Sequence, residues 1–268
     1  MSTYSYSQIS QYLSCPKKYR YRYIDGWQER DTRAATIFGR VFEHALGALF
    51  RREDPAAAFY DEWKQYHDIR LDYSKGDTWE RMAEQAVRLL ERFVRDERVV
   101  VGDPLRNLQV KYIQRLSESS EFVAYIDALG HLDGKRCLLE WKTSGSRYPE
   151  EPSGLYSLDQ QLAAYSWITG ISDIAMVVFV RKKEPEIQYL RTSISEEQRQ
   201  EYAALVGETI RQIESGIFLP HPGVRFPQNG CVSCACQGLC LDQPGLVQLK
   251  LVRRPGGEQI DWLDELAA

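Results

Sequence analysis

Two features are missing from this sequence: a long apolar run and an N-terminal targeting segment. The apolar stretch VVFV at 177–180 is far shorter than the roughly 20 residues that span a bilayer. The first ten residues, MSTYSYSQIS, contain no basic segment followed by an apolar one, so we expect no secretory signal. We therefore predict a cytoplasmic protein that has no membrane partner.

An excess of positive charge is also absent. The chain of 268 residues has 34 Lys and Arg against 38 Asp and Glu, a formal net charge of −4. It is not a bulk polycation, and a nucleic acid would have to bind in a local basic groove. A hydrophobic fraction of 43% with 27% charged residues is ordinary for a globular protein and argues against long disorder.

Cysteine, in contrast, is plentiful for a cytoplasmic protein, where disulfides are rare. Four of the six cysteines lie within ten residues, and C-x-x-C followed by a further cysteine is a common metal-ligand spacing. We predict one metal site made by Cys15 together with Cys231, Cys234 and Cys240. Four thiolates suit either Zn²⁺ or a 4Fe–4S cluster, and the spacing does not separate the two. Cys236 could replace Cys234 as a ligand.

Hydrophobic periodicity predicts an α/β protein with an N-terminal helical part. Two short helices are expected within 7–23, with a break at Cys15-Pro16 and Ser7 as the N-cap. Further helices are expected at 36–51, 55–67, 79–98, 157–169 and 195–215. Strands are expected at 108–116, 121–129, 136–143, 174–181 and 187–194, with a turn at 131–134. The tail, 243–268, has the pattern of a hairpin.

The residues that indicate chemistry lie on two of these strands. Glu140 and Lys142 are two apart, so they share a face of their strand, and Asp127 lies on the strand before it. Two carboxylates suit Mg²⁺ or Mn²⁺, and a lysine beside them can position or activate a water, or neutralise charge on a phosphate. On spacing alone the signal is weak, because a solvated face or an ion pair often gives the same pattern by chance.

Further polar residues strengthen this interpretation only in combination. His44 lies in an otherwise apolar helix, and alone would be a buried, hydrogen-bonded histidine. Gln161 and Tyr165 lie four residues apart on one helix face, and alone would belong to an ordinary amphipathic helix. Cys137 is expected to be a core thiol on the opposite strand face from Glu140.

Together these motifs resemble the PD-(D/E)XK nuclease superfamily, in particular its RecB-like branch with an iron–sulfur cluster. That branch includes the AddB nuclease domain, the CRISPR-associated RecB-like exonucleases and the exonuclease V type. The motifs match in family order over about residues 4–242: Ser7 to Tyr19, Gly39 to His44, Ala124 to Asp127, Glu140 to Thr143, Gln161 to Tyr165 and Cys231 to Cys240. Ala124 stands where the family usually has glycine.

The resemblance implies a restriction-endonuclease-like core, a central mixed sheet flanked by helices, with a cysteine-clamped C-terminus. The nuclease domain would cover 1–242 with a helical insert at about 52–107, and the tail 243–268 would lie outside it. It also implies a Mg²⁺- or Mn²⁺-dependent DNA nuclease, most simply an exonuclease acting on single strands or DNA ends. The cysteine site would hold a 4Fe–4S cluster.

The resemblance further implies a role for each motif residue. The ligands of the catalytic cation would be His44, Asp127, Glu140 and the backbone carbonyl of Trp141. Lys142 would orient or activate the attacking water, and Gln161 and Tyr165 would position the lysine or the DNA.

Two other functions stay open on the sequence. The chain could be a non-catalytic iron–sulfur subunit that binds DNA or assembles a repair, recombination or CRISPR adaptation complex, or a redox or zinc-ribbon protein. Two basic segments could contact DNA: 17–23, where lysine and arginine alternate with tyrosine, and Arg181-Lys182-Lys183. Packed tyrosines with solvated charges explain the first segment equally well.

Overall fold

The computed structural model describes residues 1–220 and 230–254. The chain divides into two compact units: Met1–Thr3 with Arg33–Ala203, called the first unit, and Tyr4–Thr32 with Ala204–Ala268, called the second. None of the described helices is both long and apolar enough to cross a membrane. The domain limits expected from the sequence stay a prediction.

The strands and helices follow the sequence pattern closely. The strands are β1 (Ser2–Ser5), β2 (Trp27–Glu29), β3 (Val99–Val101), β4 (Leu108–Arg115), β5 (Ser120–Leu132), β6 (Lys135–Ser144), β7 (Asp173–Val180), β8 (Glu186–Ser193) and β9 (Leu251–Arg253). The α-helices are α1 (Tyr6–Ser14), α2 (Pro16–Tyr19), α3 (Ala34–Phe50), α4 (Pro55–Trp63), α5 (Trp79–Asp96), α6 (Pro104–Asn107), α7 (Gln160–Thr169), α8 (Glu196–Glu214), α9 (Gln237–Cys240) and α10 (Pro244–Lys250).

A mixed sheet forms the centre of the first unit. Within the described ranges it has seven strands, five of which follow the order β1-β5-β6-β7-β8. The other two, β3 and β4, also pair with β5. β5 and β6 are antiparallel, whereas β6 and β7 are parallel. A parallel pair requires a crossover connection, which here runs through α7. Strand β7, DIAMVVFV, is buried from its second residue onward, as expected of a central strand.

Helices α3, α4 and α5 pack their apolar side chains with those of the sheet. Phe38, Phe42 and Trp63 are each at most 1% exposed and belong to the same core cluster as Trp141 and Phe179 of the sheet. Full burial of one such side chain contributes about 1.5–3 kcal/mol. This packing holds α3 against β6. The backbone positions of the polar residues on these two elements follow from it.

The structure confirms the predicted α/β architecture and corrects details of it. The N-cap of α1 is Ser5 rather than Ser7, because the Ser5 side chain accepts the Gln8 N–H. Strand β5 continues to Leu132, and the turn consists of Asp133 and Gly134, both with positive φ. An Asp-Gly pair at positive φ is typical of two-residue hairpin turns, so the turn is shorter than predicted. Cys137 is confirmed as a core thiol, 4% exposed.

The second unit contains the N-terminal helices, and the predicted break between them at Cys15 is confirmed, since Cys15 is extended. Here the structure differs from the predicted hairpin of the tail. Residues 244–250 form helix α10, and the short strand β9 that follows pairs with β2, Gln28 lying opposite Val252. The second arm predicted for the hairpin lies outside the described residues.

Candidate active site

Asp127 is held in place by the backbone of the neighbouring strand. The last residue pair between β5 and β6 before the site is Ala128 with Leu139. Just beyond it, the backbone N–H of Trp141 donates to Asp127 Oδ2 over 2.7 Å. The carboxylate borders a small open cavity of about 90 Å³, which is also lined by Glu43, His44 and Trp141. The local strand geometry therefore aims Asp127 at a space that a ligand can enter.

Glu140 and Lys142 share a face of β6, as their spacing predicts. The Lys142 Nζ lies 2.5 Å from Glu140 Oε1. Glu140 is only 2% exposed, and its second oxygen, Oε2, is buried without a hydrogen-bond partner. A buried carboxylate oxygen without a partner is unfavourable by about 1–3 kcal/mol, so this atom is suited to bind a cation or a hydrogen-bond donor.

Helix α7 adds a hydrogen-bonded chain to the lysine. The side chain of Asp159 caps the helix by accepting the Gln161 N–H over 2.8 Å. Gln161 Oε1 accepts from Lys142 Nζ over 2.7 Å, and Gln161 Nε2 donates to the Tyr165 hydroxyl over 2.8 Å. The structure thus brings Lys142, Gln161 and Tyr165 together as the sequence spacing suggested. Their catalytic roles stay predictions.

Charge is unbalanced in this site. Burial, together with the nearby carboxylates of Glu140 and Glu43, raises the pKa of Asp127 well above its ordinary value. Burial alone would lower the pKa of Lys142, but the carboxylate of Glu140 outweighs it and raises that pKa above the usual value. The lysine is therefore protonated at neutral pH, and the carboxylates beside it repel one another.

His44 lies on α3 and is tied to α4. Its Nδ1 is 2.8 Å from Glu62 Oε2, and the Arg40 guanidinium is 3.6 Å from the other oxygen of Glu62. A carboxylate on one ring nitrogen is the usual arrangement of a histidine that binds metal through the other nitrogen. The sequence analysis missed Glu62, which lies in the insert 52–107, because no motif marks it.

Glu43 is a second residue that the sequence analysis missed. It borders the cavity beside Asp127, and Gln109 Nε2 donates to its Oε1 over 3.3 Å. Burial raises the pKa of Glu43, as does the negative charge of Glu140, although the hydrogen bond from Gln109 opposes the shift. A signal was present in the sequence: Gly39, Glu43 and Gly47 recur every four residues on one helix face.

Within residues 1–220 and 230–254, no three His, Cys, Asp or Glu side chains already stand in the arrangement of a metal-ligand group. The carboxylates nevertheless fit a hard divalent cation, because their oxygens are the ligands that Mg²⁺ and Mn²⁺ prefer. The buried Glu140 Oε2 without a partner is the observation that supports this fit.

The predicted cysteine site lies in the second unit. Burial raises the pKa of Cys231, and the thiols of Cys234, Cys15 and Cys240 raise it further. The shared metal site of these four cysteines stays a prediction. Cys236 is 6% exposed, and its hydrogen bond to Cys234 lowers the pKa of Cys234 to about 6. Cys236 therefore acts as a hydrogen-bond donor to Cys234.

The structure also places the two basic segments that were considered for DNA binding. In the first, Tyr19 is 4% exposed and stacks on Phe218, so part of the segment belongs to the packing. In the second, the Arg181 side chain is 7% exposed, pairs with Asp77 at 3.3 Å and lies over the ring of Phe38. This burial and pairing argue against a DNA contact by the Arg181 guanidinium, and the contact of Lys182 and Lys183 with DNA stays a prediction.

Comparisons with known proteins bear on the fold and the family of this chain. A solved structure of a candidate exonuclease from Eubacterium rectale superposes with a TM-score of 0.54 at 15% identity, covering 97% of this chain and 91% of its own. A second solved structure, SSO0001, gives a TM-score of 0.36 at 14% identity, covering 88% and 93%, too low to support a shared fold. No curated protein matches the sequence.

The first of these likenesses agrees with the restriction-endonuclease-like fold predicted from the sequence. The family model of the PD-(D/E)XK nuclease superfamily matches residues 3–241, which include every residue of the candidate site. This chain therefore belongs to the PD-(D/E)XK nuclease superfamily.

Proposed function

We propose that this protein is a divalent-metal-dependent nuclease that hydrolyses DNA phosphodiester bonds. The observation that carries the proposal is the half-buried Lys142 ammonium, held between Glu140 Oε1 and Gln161 Oε1, with the Asp127 carboxylate among the groups that raise its pKa. Membership of a nuclease superfamily over nearly the whole chain supports the same reaction class. The carboxylates and the ammonium group that we assign to this reaction are neighbours on strands β5 and β6.

Asp127 and Glu140 are the residues that would hold the cation, with His44 and the Trp141 carbonyl as further ligands. The unpartnered Glu140 Oε2 and the pairing of His44 Nδ1 with Glu62 support this assignment. A bound Mg²⁺ or Mn²⁺ supplies a polarised phosphoryl oxygen and a more acidic water. The chain itself supplies the position of the ligands.

Lys142 acts in this proposal as a cation. Because Glu140 raises its pKa, Lys142 keeps its proton at neutral pH, and so it donates hydrogen bonds to the attacking water or to the phosphate oxygens. It also offsets negative charge that develops on the phosphate. Gln161, fixed by Tyr165, holds the ammonium group in one direction.

We further propose an exonuclease that acts on single strands or DNA ends and belongs to the RecB-like iron–sulfur branch. The name of the Eubacterium rectale protein, a candidate exonuclease with the same fold, supports the exonuclease mode. The presence of Cys15, Cys231, Cys234 and Cys240 in the same compact unit, together with the close spacing of the last three, supports a 4Fe–4S cluster there. Four thiolates also suit zinc, which iron analysis distinguishes.

The Lys142→Ala variant tests the proposed function. We expect the wild-type protein to degrade end-labelled DNA with Mn²⁺ and not with EDTA, and Lys142→Ala to lose at least about 100-fold in rate, the size of contribution typical of such groups. Lys135→Ala is the matched control, because Lys135 lies on the same strand but is exposed. Full activity of Lys142→Ala would sink this mechanism.

The same assay separates the alternative function. A non-catalytic DNA-binding or assembly subunit would shift DNA in a gel yet leave end-labelled single and double strands intact with Mg²⁺ and with Mn²⁺. The intact set of Asp127, Glu140 and Lys142, hydrogen-bonded as described, argues against that alternative.

A further inference from the structure

Arg51 lies at the edge of the cavity that Asp127 borders. It follows the last residue of α3 and lines the cavity of about 90 Å³ together with Glu43, His44 and Asp127. Of the described residues around this cavity, Arg51 is the one that carries a permanent positive charge. None of the groups assigned to the proposed reaction uses this charge.

The guanidinium of Arg51 folds back over the last turn of α3. A Cβ placed on Gly47, four residues earlier, would lie 3.1 Å from Arg51 Nη1 and 3.9 Å from both its Cζ and its Nη2. Gly47 borders the same cavity. Because position 47 has no side chain, the guanidinium can lie close against the helix at the edge of the cavity.

The ion pair that Arg51 forms is weak. Its Nε and Nη2 donate to the Glu53 carboxylate over 3.3 and 3.5 Å, both long for hydrogen bonds. The side chains of Arg51 and Glu53 are 45% and 57% exposed, and ion pairs exposed to this degree contribute little stability. Within residues 1–220 and 230–254, Nη1 has no hydrogen-bond acceptor. A more strongly bound anion can therefore replace Glu53 on this guanidinium.

A phosphate of the DNA backbone is the anion that suits this position. The carboxylates of Glu43 and Asp127 border the cavity and would repel a phosphate that approaches it. An arginine at the edge offsets part of that repulsion. Its planar guanidinium presents parallel N–H donors that match two phosphate oxygens, whereas a lysine ammonium acts as a point charge. Such a contact positions a strand without reading its sequence.

We infer that Arg51 binds a backbone phosphate of the DNA next to the phosphate that is cleaved, and so positions the strand at this cavity. The inference rests on the proposed function and adds to it the residue that holds the neighbouring phosphate. Because the contact is the same before and during cleavage, it strengthens binding of the strand rather than the chemical step. Arg51 is thus a substrate-binding residue and not a ligand of the cation.

Cleavage and binding of a fluorescent oligothymidine test the inference. With Mn²⁺, we expect Arg51→Ala to raise KM at least tenfold and to leave kcat nearly unchanged. Affinity is measured by anisotropy with Ca²⁺, under conditions where the strand stays intact. The slope of log affinity against log salt concentration should become shallower by about 0.7, the value for one lost phosphate contact on a single strand. Arg95→Ala on α5 is the matched control, because the Arg95 side chain is 80% exposed.

Uncharged methylphosphonate links, placed at one position of the strand at a time, identify the phosphate. At one position beside the cleaved link, the substitution should weaken binding to wild type, and Arg51→Ala should cause no further loss there. Arg51→Lys, which keeps the charge without the paired donors, should recover part of the affinity. Mn²⁺ affinity without DNA, measured by calorimetry, should be no weaker for Arg51→Ala than for wild type.

The outcomes separate the inference from the proposed function. If Arg51→Ala binds and cleaves the strand like wild type, with the same salt slope, the inference is overturned, and the nuclease proposal stands as long as Lys142→Ala is inactive. If wild type neither binds nor degrades the strand, both fail. Should Arg51→Ala melt well below wild type, Arg51→Gln decides, because it keeps most of the side chain without its charge. Identical methylphosphonate profiles for Arg51→Gln and wild type would contradict the inference.

Discussion

Gln161 links the catalytic strand to helix α7. It accepts a hydrogen bond from Lys142 with its carbonyl oxygen and donates one to Tyr165 with its amide nitrogen. A glutamine is suited to this double role because its side chain ends in both an acceptor and a donor. The lysine therefore depends on Gln161 for its direction as much as on Glu140 for its charge.

Replacing Gln161 should impair turnover more than binding. We expect Gln161→Ala to lower kcat by about tenfold, the size typical of residues that orient a reacting group, with little change in KM. Gln161→Glu, which still accepts from Lys142, should retain more activity. Steady-state kinetics on single-stranded DNA measure both, with exposed Gln160→Ala as control. Equal kcat for Gln161→Ala and wild type would remove the positioning role.

The sequence made part of this site predictable at the residue scale. Lys142, Gln161 and Tyr165 could be grouped because strand and helix periodicity fix which side chains share a face. Glu62 could not be found this way, since its contact with His44 joins two helices and depends on how they pack. Glu43 showed a pattern of spacing, but a charged residue on a helix gives no sign of burial until the partner strand is known.

At the scale of elements, the turn between β5 and β6 is stabilised by a cluster of charges. Asp133 accepts from Arg98 on both oxygens, at 2.8 and 2.7 Å, and from Arg191 at 2.8 Å. The hydrogen bonds from Arg98 and then Arg191 hold the pKa of Asp133 well below its ordinary value. The turn between the strands that carry Asp127 and Glu140 is thereby tied to β8 and to the residue before β3, at the end of the two strands remote from the site.

Asp133→Asn should make the fold less stable in a pH-dependent way. A carboxyl whose pKa is lowered in the folded state contributes stability above its unfolded pKa, about 3.9. That contribution is lost as the pH falls through the folded value. We therefore expect the free energy of unfolding of wild type to exceed that of Asp133→Asn by a constant margin from pH 8 to pH 5. That margin should shrink below about pH 4. Urea unfolding at several pH values measures it.

Asparagine is the appropriate replacement because Asp133 has φ of 50°, which asparagine tolerates better than other neutral residues. Glu118→Gln serves as a control for loss of an exposed carboxylate. A margin that grows as the pH falls would contradict the assigned direction of the Asp133 shift.

Element boundaries were predictable where one residue type decides them. Pro16 and Pro55 begin helices α2 and α4, as their missing N–H groups favour. The tail was not predictable, because residues 246–250 alternate weakly and their helical state depends on tertiary packing. The pairing of β9 with β2 joins segments at opposite ends of the chain, which no local pattern reveals.

At the scale of the whole molecule, the cysteine site and the candidate active site belong to different units. The four cysteines proposed as cluster ligands lie within Tyr4–Thr32 and Ala204–Ala268, whereas every proposed catalytic residue lies within Arg33–Ala203. Cys15 and Cys231 are far apart in sequence, so a shared cluster would close a very long loop. Crosslinks of such length stabilise by several kcal/mol, roughly 3–5 by the loop-entropy relation. The site thus has a structural role in our proposal.

Variants of the cluster cysteines should therefore lose iron and thermal stability, whereas the protein that stays folded should keep its nuclease activity. We expect Cys15→Ser and Cys234→Ser, purified anaerobically, to contain little iron and to melt well below wild type. Cys236→Ser should keep its iron, because Cys236 donates to Cys234 rather than standing among the thiols that act on Cys231. Serine at 236 still offers a hydroxyl donor, so the environment of Cys234 changes little.

Iron analysis and absorption near 400 nm report the cluster, and activity at low temperature reports the remaining folded fraction. If Cys236→Ser lost its iron while Cys234→Ser kept it, the two ligand assignments would have to be exchanged.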